Sequence, residues 1–259
     1  MHPHPMLGRP ESRVGLPPQV QACLFDLDGV LTKTADVHAE AWKRTFDAFL
    51  RARSAALGVR FVEFDLPRDY ELYVDGKPRE AGVRSFLASR GIRLPEGSES
   101  DPPDSETIHG LGKRKNALLL TLLSEEGVHV YPGSVRYLRA VRQEGLRTAV
   151  VSSSRNCRDV LAAAGIAEQF DARVDGLVAA EQHLKGKPAP DTYWAAARAL
   201  GMSSEQAAVF EDALAGVEAG RSGGFGCVVG VNRGSQAESL RRHGADVVVS
   251  DLAELLGGS

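Results

Sequence analysis

Five short apolar runs, set between stretches of helical periodicity, constrain this chain more than any other feature. They lie in QACLFDLDG (21–29), LRTAVVSSS (146–154), AAVFED (207–212), CVVGV (227–231) and DVVVS (246–250). Each is short, apolar and bounded by turn-forming or polar residues, as buried strands are. Helical patterns over 134–144, from 154 to 164 and over 190–200 alternate with the later runs. Strands alternating with helices of this size imply right-handed crossovers and a parallel sheet.

The first run stands apart from the rest. After it, Ala39, Trp42, Phe46 and Phe49 recur at helical spacing within 35–57. A less regular stretch follows over 58–80. Then come a helix over 81–90 closed by Gly91, a polar loop over 94–106 (LPEGSESDPPDSE) and a helix over 113–125. The chain is therefore expected to begin a sheet, leave it for a helical excursion and return. The predicted fold class is α/β, a Rossmann-like parallel-sheet core with an inserted helical cap domain. The core covers 21–33 and 129–259, the cap 34–128, and a flexible tail rich in Pro and Gly covers 1–20.

Composition narrows the function classes. With 43% apolar and 25% charged residues the 259-residue chain reads as an ordinary globular protein, long enough for a sizeable core. A net charge of −3 leaves no electrostatic footprint for nucleic acid or an anionic membrane. No apolar run reaches the roughly 18 residues of a membrane-spanning helix. Cys23, Cys157 and Cys227 are far apart and form no CxxC, which suits a reducing compartment. A cytoplasmic monomer with no nucleic-acid or membrane partner is expected.

In open parallel sheets, ligands bind beyond the carboxyl ends of the strands. Those ends carry Asp26 and Asp28, then Ser152, Ser153 and Ser154, then Glu211 and Asp212, and a loop adds Lys185 and Lys187 in LKGKPAPD. Carboxylates crowded together do not all stay ionised without a cation. A hard cation with oxygen ligands, Mg²⁺ by class, is the natural neutraliser, and the Lys and Ser donors beside it suit a phosphate. Taken alone, Asp26 and Asp28 could merely be turn formers, and Glu211-Asp212 an ordinary helix start. Lys185 reads as solvated.

Together, DLDGVLT (26–32), the SSS strand end, KGKPAPD and FEDALAG resemble the haloacid dehalogenase superfamily of phosphotransferases. The resemblance covers nearly the whole chain after the tail. It implies that Asp26 is the nucleophile, forming an aspartyl phosphate, and that Asp28 is general acid and base. It implies metal binding by Asp26, the Asp28 carbonyl and Asp212, with Glu211 a direct or indirect companion. Ser152 and Lys187 would hold the transferring phosphoryl group. Members that break carbon–halogen or carbon–phosphorus bonds usually lack the second acid, so Asp28 favours a phosphate ester.

Thr34, His38 and Trp42, LGKRKN at 111–116 and SSSRN at 152–156 resemble the β-phosphoglucomutase-like subfamily. By that resemblance Thr34 and His38 link the acid/base to cap closure, and Lys115 and Asn116 reach the sugar. Arg79 would grip the non-transferring phosphate, with Ser154, Arg155 and Asn156 completing that distal site. Arg155 departs from the lysine usual there, and the two cations bond differently. The leading expectation is a Mg²⁺-dependent β-phosphoglucomutase acting on a small phosphosugar. The alternatives are a sugar-phosphate phosphatase on the same scaffold and a catalytically idle phosphosugar-binding protein.

Overall fold

The protein is represented by a computed structural model that describes residues 14–257. Of the expected tail, residues 1–13 lie outside this range. The rest joins the core: Val14, Leu16 and Val20 are buried, and the Val14 carbonyl accepts a 2.9 Å hydrogen bond from the Tyr137 hydroxyl. The prolines and glycine between these apolar residues disguise a stretch that packs without regular structure.

Six strands form one all-parallel sheet: β1 (Ala22–Phe25), β2 (Arg147–Val151), β3 (Ala172–Val174), β4 (Ala207–Glu211), β5 (Cys227–Val231) and β6 (Val247–Val249), in the order β3-β2-β1-β4-β5-β6. The edge strand β3 was not among the five expected. It is three residues long and interrupted by Arg173, so it shows no apolar run. Both faces of the sheet are covered, as a parallel sheet requires. In β1, Cys23 and Phe25 point into one apolar cluster and Ala22 and Leu24 into the other. This is the alternation of an extended chain.

The cap contributes α1 (Thr34–Leu57), α2 (Arg79–Ser89) and α3 (Ile108–Glu126), with a π-helical turn at Tyr70–Val74. Trp42, Phe46, Phe49, Phe64, Phe86 and Leu111 form its separate apolar centre. The helix expected over 113–125 starts earlier, where Thr107 accepts from the Gly110 N–H as N-cap. Gly110 and Gly112 weaken its sequence signal, yet Gly112 has a packing reason: a Cβ there would lie 3.1 Å from Arg79 Cδ. The core helices follow as α4 (Pro132–Gln143), α5 (Cys157–Ala163), α6 (Gly176–Glu181), α7 (Asp191–Ala199), α8 (Leu214–Ser222) and α9 (Ala237–His243). Residues of α4 and α5 line one face of the sheet, and residues of α7, α8 and α9 the other.

The strand order reverses direction between β1 and β4, which is where doubly wound sheets open a crevice. Phe25 is opposite both Val150 and Phe210, so Asp26 leaves β1 level with Glu211. The two connections to the cap run side by side. Thr32 bridges Val130, the Lys33 N–H donates to the His129 carbonyl at 2.8 Å, and the Tyr131 N–H donates to the Leu31 carbonyl at 2.9 Å.

Candidate active site

The strand ends and the cap enclose a cavity of about 220 Å³. Asp26, Asp28, Ser152 and Asp212 line its floor, and His38, Arg79 and Lys115 line its cap side. At the floor, the fully buried Lys187 donates to Asp26 Oδ1 at 2.5 Å and to the Val151 carbonyl at 3.2 Å. Its Nζ also lies 2.5 Å from Glu211 Oε1. Glu211 accepts further from the Tyr193 hydroxyl at 2.9 Å and the Ala213 N–H at 3.1 Å. Its oxygens are thus occupied by protein donors, and it orients Lys187. Lys185 is exposed, as expected.

Asp28 faces the cap. Its Oδ1 accepts from the Thr34 hydroxyl, which shares a 2.8 Å hydrogen bond with Thr32. His38 Nε2 lies 3.7 Å from the same oxygen, and Lys115 Nζ is 3.1 Å from His38 Nδ1 and 5.0 Å from the Trp42 ring centre. Burial, helped by Lys115 and Arg79, pushes His38 down to about 4. Burial and Arg79 together push Lys115 down to about 7. Both shifts disfavour the charged forms, and the two side chains share a hydrogen bond through His38 Nδ1. Trp42, part of the apolar centre of the cap, also lines the cavity.

At the far end, Asn116 Oδ1 accepts from Arg79 Nη2 at 2.7 Å and from Asn156 Nδ2 at 2.9 Å. This joins cap to core. Arg155 lines the cavity but pairs with Glu99 of the cap loop at 2.9 Å. The three serines divide their work. The Ser152 and Ser154 oxygens accept from the N–H groups of Ser154 and Asn156, each at 3.1 Å. The Ser153 hydroxyl donates to the Gly76 carbonyl at 2.7 Å, so it ties the cap down.

The floor is short of positive charge. Asp26, Glu211 and Asp212 bring ligand oxygens within 4.8 Å of one another, all buried, around one lysine. Burial holds Asp26 well above the usual carboxylate range, with Glu211 and Asp28 adding to it against Lys187. Burial and the neighbouring Asp75, Asp26 and Glu211 do the same to Asp212. Burial alone would depress Lys187, but Asp26 and Glu211 outweigh it and hold the ammonium well above its ordinary value. An all-oxygen, anionic donor set with unbalanced charge fits a hard divalent cation. The Asp28 carboxylate is turned towards Thr34 and stands outside this group of three.

Several cavity residues escaped the sequence. Tyr70, which opens the π-helical turn, and Asp75, which follows it, line the cavity, and burial with Glu211 nearby pushes Asp75 up to about 7. Glu99 and Tyr193 act through Arg155 and Glu211. None sits in a recognisable pattern, although Asp75 precedes a turn glycine four residues before Arg79.

The sequence profile of the haloacid dehalogenase-like hydrolases matches residues 20–224. A β-phosphoglucomutase of Mycobacterium tuberculosis is 59% identical over 249 residues, 95% of each chain. The crystal structure of a β-phosphoglucomutase from Clostridium difficile superposes with a TM-score of 0.71 at 26% identity, covering 91% of this chain and 93% of that one. A mutant of CbbY from Rhodobacter sphaeroides, crystallised in complex with xylulose 1,5-bisphosphate, gives 0.66 at 27% identity, covering 92% and 97%.

Proposed function

We propose that this chain, which belongs to the haloacid dehalogenase-like hydrolase family and is a phosphotransferase of its β-phosphoglucomutase-like branch, interconverts β-glucose 1-phosphate and glucose 6-phosphate. One observation carries the reading: a single cavity is lined at its floor by Asp26, which Lys187 holds from behind, and elsewhere by Arg79 and Asn156, which Asn116 ties together. A mutase that works through a bisphosphate needs two phosphate sites. The similarity to a mycobacterial β-phosphoglucomutase supports the substrate, and the bisphosphate held by CbbY supports a two-ended site.

In this mechanism an Asp26 carboxylate oxygen attacks phosphorus, forming the acyl phosphate as the bond to the sugar oxygen breaks. Asp28 delivers its proton to the departing oxygen. In the second transfer it takes the proton of the incoming sugar hydroxyl, which attacks the aspartyl phosphorus and frees Asp26. Lys187 and Ser152 hold the phosphoryl oxygens, and Arg79 with Asn156 anchors the phosphate that is not in transit. Asp26, the Asp28 carbonyl and Asp212 would hold Mg²⁺, whose charge balances the oxygens gathered there. For proton transfer Asp28 must leave Thr34 and turn into the cavity. Thr34 and His38 hold its resting position, and the cap, taken as 34–128, shuts water out.

The test supplies β-glucose 1-phosphate with catalytic glucose 1,6-bisphosphate and follows glucose 6-phosphate and free phosphate together. Isomer formation without stoichiometric phosphate is expected. Phosphate release without isomer would assign the chain as a sugar-phosphate phosphatase instead.

A further inference from the structure

Arg233 lies just past β5, outside every motif that points to the site, and four of its five N–H groups are committed. Nε donates to the Gly29 carbonyl at 2.7 Å and Nη2 to the Val30 carbonyl at 3.0 Å. Nη1 donates to the Ser250 carbonyl at 2.8 Å, and Nη2 also reaches Ser134 Oγ at 3.1 Å. The guanidinium stacks on Tyr131, 3.5 Å from the ring centre. Lysine, with one nitrogen and no planar face, cannot reproduce this set.

The held segment matters because of what flanks it. The Leu27, Leu31 and Thr32 carbonyls find partners in the turn or at Tyr131. The Gly29 and Val30 carbonyls are met by Arg233. Gly29 has φ +86°, and a Cβ on it would lie 1.7 Å from Asp212 Oδ2. The turn and the acid therefore approach as closely as a backbone allows. Thr32 and Lys33, the root of the cap, follow directly, and Tyr131 and Ser134 belong to its return.

We infer that Arg233 is a positioning residue: by holding the Gly29 and Val30 carbonyls it sets the Asp28–Gly29 peptide against Asp212, and so the cation site and the root of the cap. The cation part rests on the reading of Asp28 and Asp212 given above. Arg233 does not touch the reacting atoms. It acts as outer partners of metal ligands do, where loss typically costs 10- to 100-fold in affinity.

The experiment compares wild type with Arg233→Lys by two readouts. In amide hydrogen exchange, the N–H groups of Gly29, Leu31 and Thr32 should exchange at least about tenfold faster in the variant, while those of β1 stay as protected as in wild type. In a manganous-ion titration followed by electron paramagnetic resonance, the dissociation constant should rise about tenfold or more. Unchanged turn exchange overturns the inference. Faster turn exchange with unchanged Mn²⁺ affinity overturns the link to the cation site. A wild type that binds no Mn²⁺ overturns the cation reading itself, and exchange still decides the positioning role. If Arg233→Lys does not fold, Tyr131→Leu, which removes the stacking support and leaves Arg233 in place, decides it by the same exchange measurement.

Discussion

Removing the ammonium of Lys187 while keeping its bulk, in Lys187→Met, tests whether the floor of the site is an electrostatic construction. Lys187 lies 2.5 Å from both Asp26 Oδ1 and Glu211 Oε1, and all three side chains are at most 9% exposed. Solvent does little to screen this cluster. Breaking a buried pair by removing one partner costs about 3–5 kcal/mol, because it strands the other charge. For a chain of this size that is roughly 6–20 °C in melting temperature. The sign with pH follows from linkage. Burial already holds Asp26 above its ordinary value against the pull of Lys187. Without Lys187 it rises further. A carboxyl with a raised folded pKa destabilises the fold above that pKa, and the penalty fades as pH falls through it. The variant's deficit should therefore be largest at pH 8, shrink towards pH 5.5, and narrow at pH 8 when Mg²⁺ is added to cation-free protein. Urea unfolding of both proteins at the two pH values measures it. A deficit below about 1 kcal/mol at pH 8, or one equal at both pH values, would refute the argument.

Other perturbations read other parts of the site. Lys115, held at about 7 instead of 10.5, costs the fold on the order of 5 kcal/mol below pH 7, a cost that disappears as pH rises from about 7 to 10.5. Lys115→Met should melt higher than wild type at pH 6, gain less at pH 9.5 and lose mutase turnover; a lower melting temperature at pH 6 contradicts this. Arg79→Ala removes a charged donor from the distal end, worth roughly 10- to 100-fold in mutase kcat/KM. Hydrolysis of a small phosphate ester should change far less, and equal losses in the two assays speak against a distal phosphate site. Gly29→Ala places a methyl group where Asp212 Oδ2 now lies and forces an unfavourable positive φ. Calorimetry should find its Mg²⁺ affinity at least about tenfold weaker.

The floor of the site was legible in the sequence because a parallel sheet collects its strand ends along one edge. Asp26, Ser152, Glu211 and Asp212 each follow or close a short apolar run, so their convergence follows from topology alone. The missed strand β3 did not disturb this, since an edge strand leaves the central order unchanged. Burial geometry was less visible. Glu211 and Asp212 look alike in sequence, yet Glu211 is saturated by Lys187, Tyr193 and Ala213 while Asp212 faces Gly29.

The cap side divides by a different rule. Thr34, His38 and Trp42 are four apart on one helix, and that spacing alone puts them on one face. The face proves to be the one turned to the cavity: Thr34 binds Asp28, His38 approaches the same carboxylate, and Trp42 lies against Lys115. Lys115 and Asn116 are adjacent on α3 and serve different ends, one beside His38 and the other between Arg79 and Asn156. Asp75, Glu99 and Arg233 reach the site from irregular segments, where neither period 2 nor period 3.6 reports direction. Topology thus announces the acids at the strand ends, while residues that approach them or their turns from loops stay concealed. Arg233, about two hundred residues from the turn it grips, is the clearest case, because only the folded sheet brings the end of β5, two strands away, within an arginine's reach of the turn after β1.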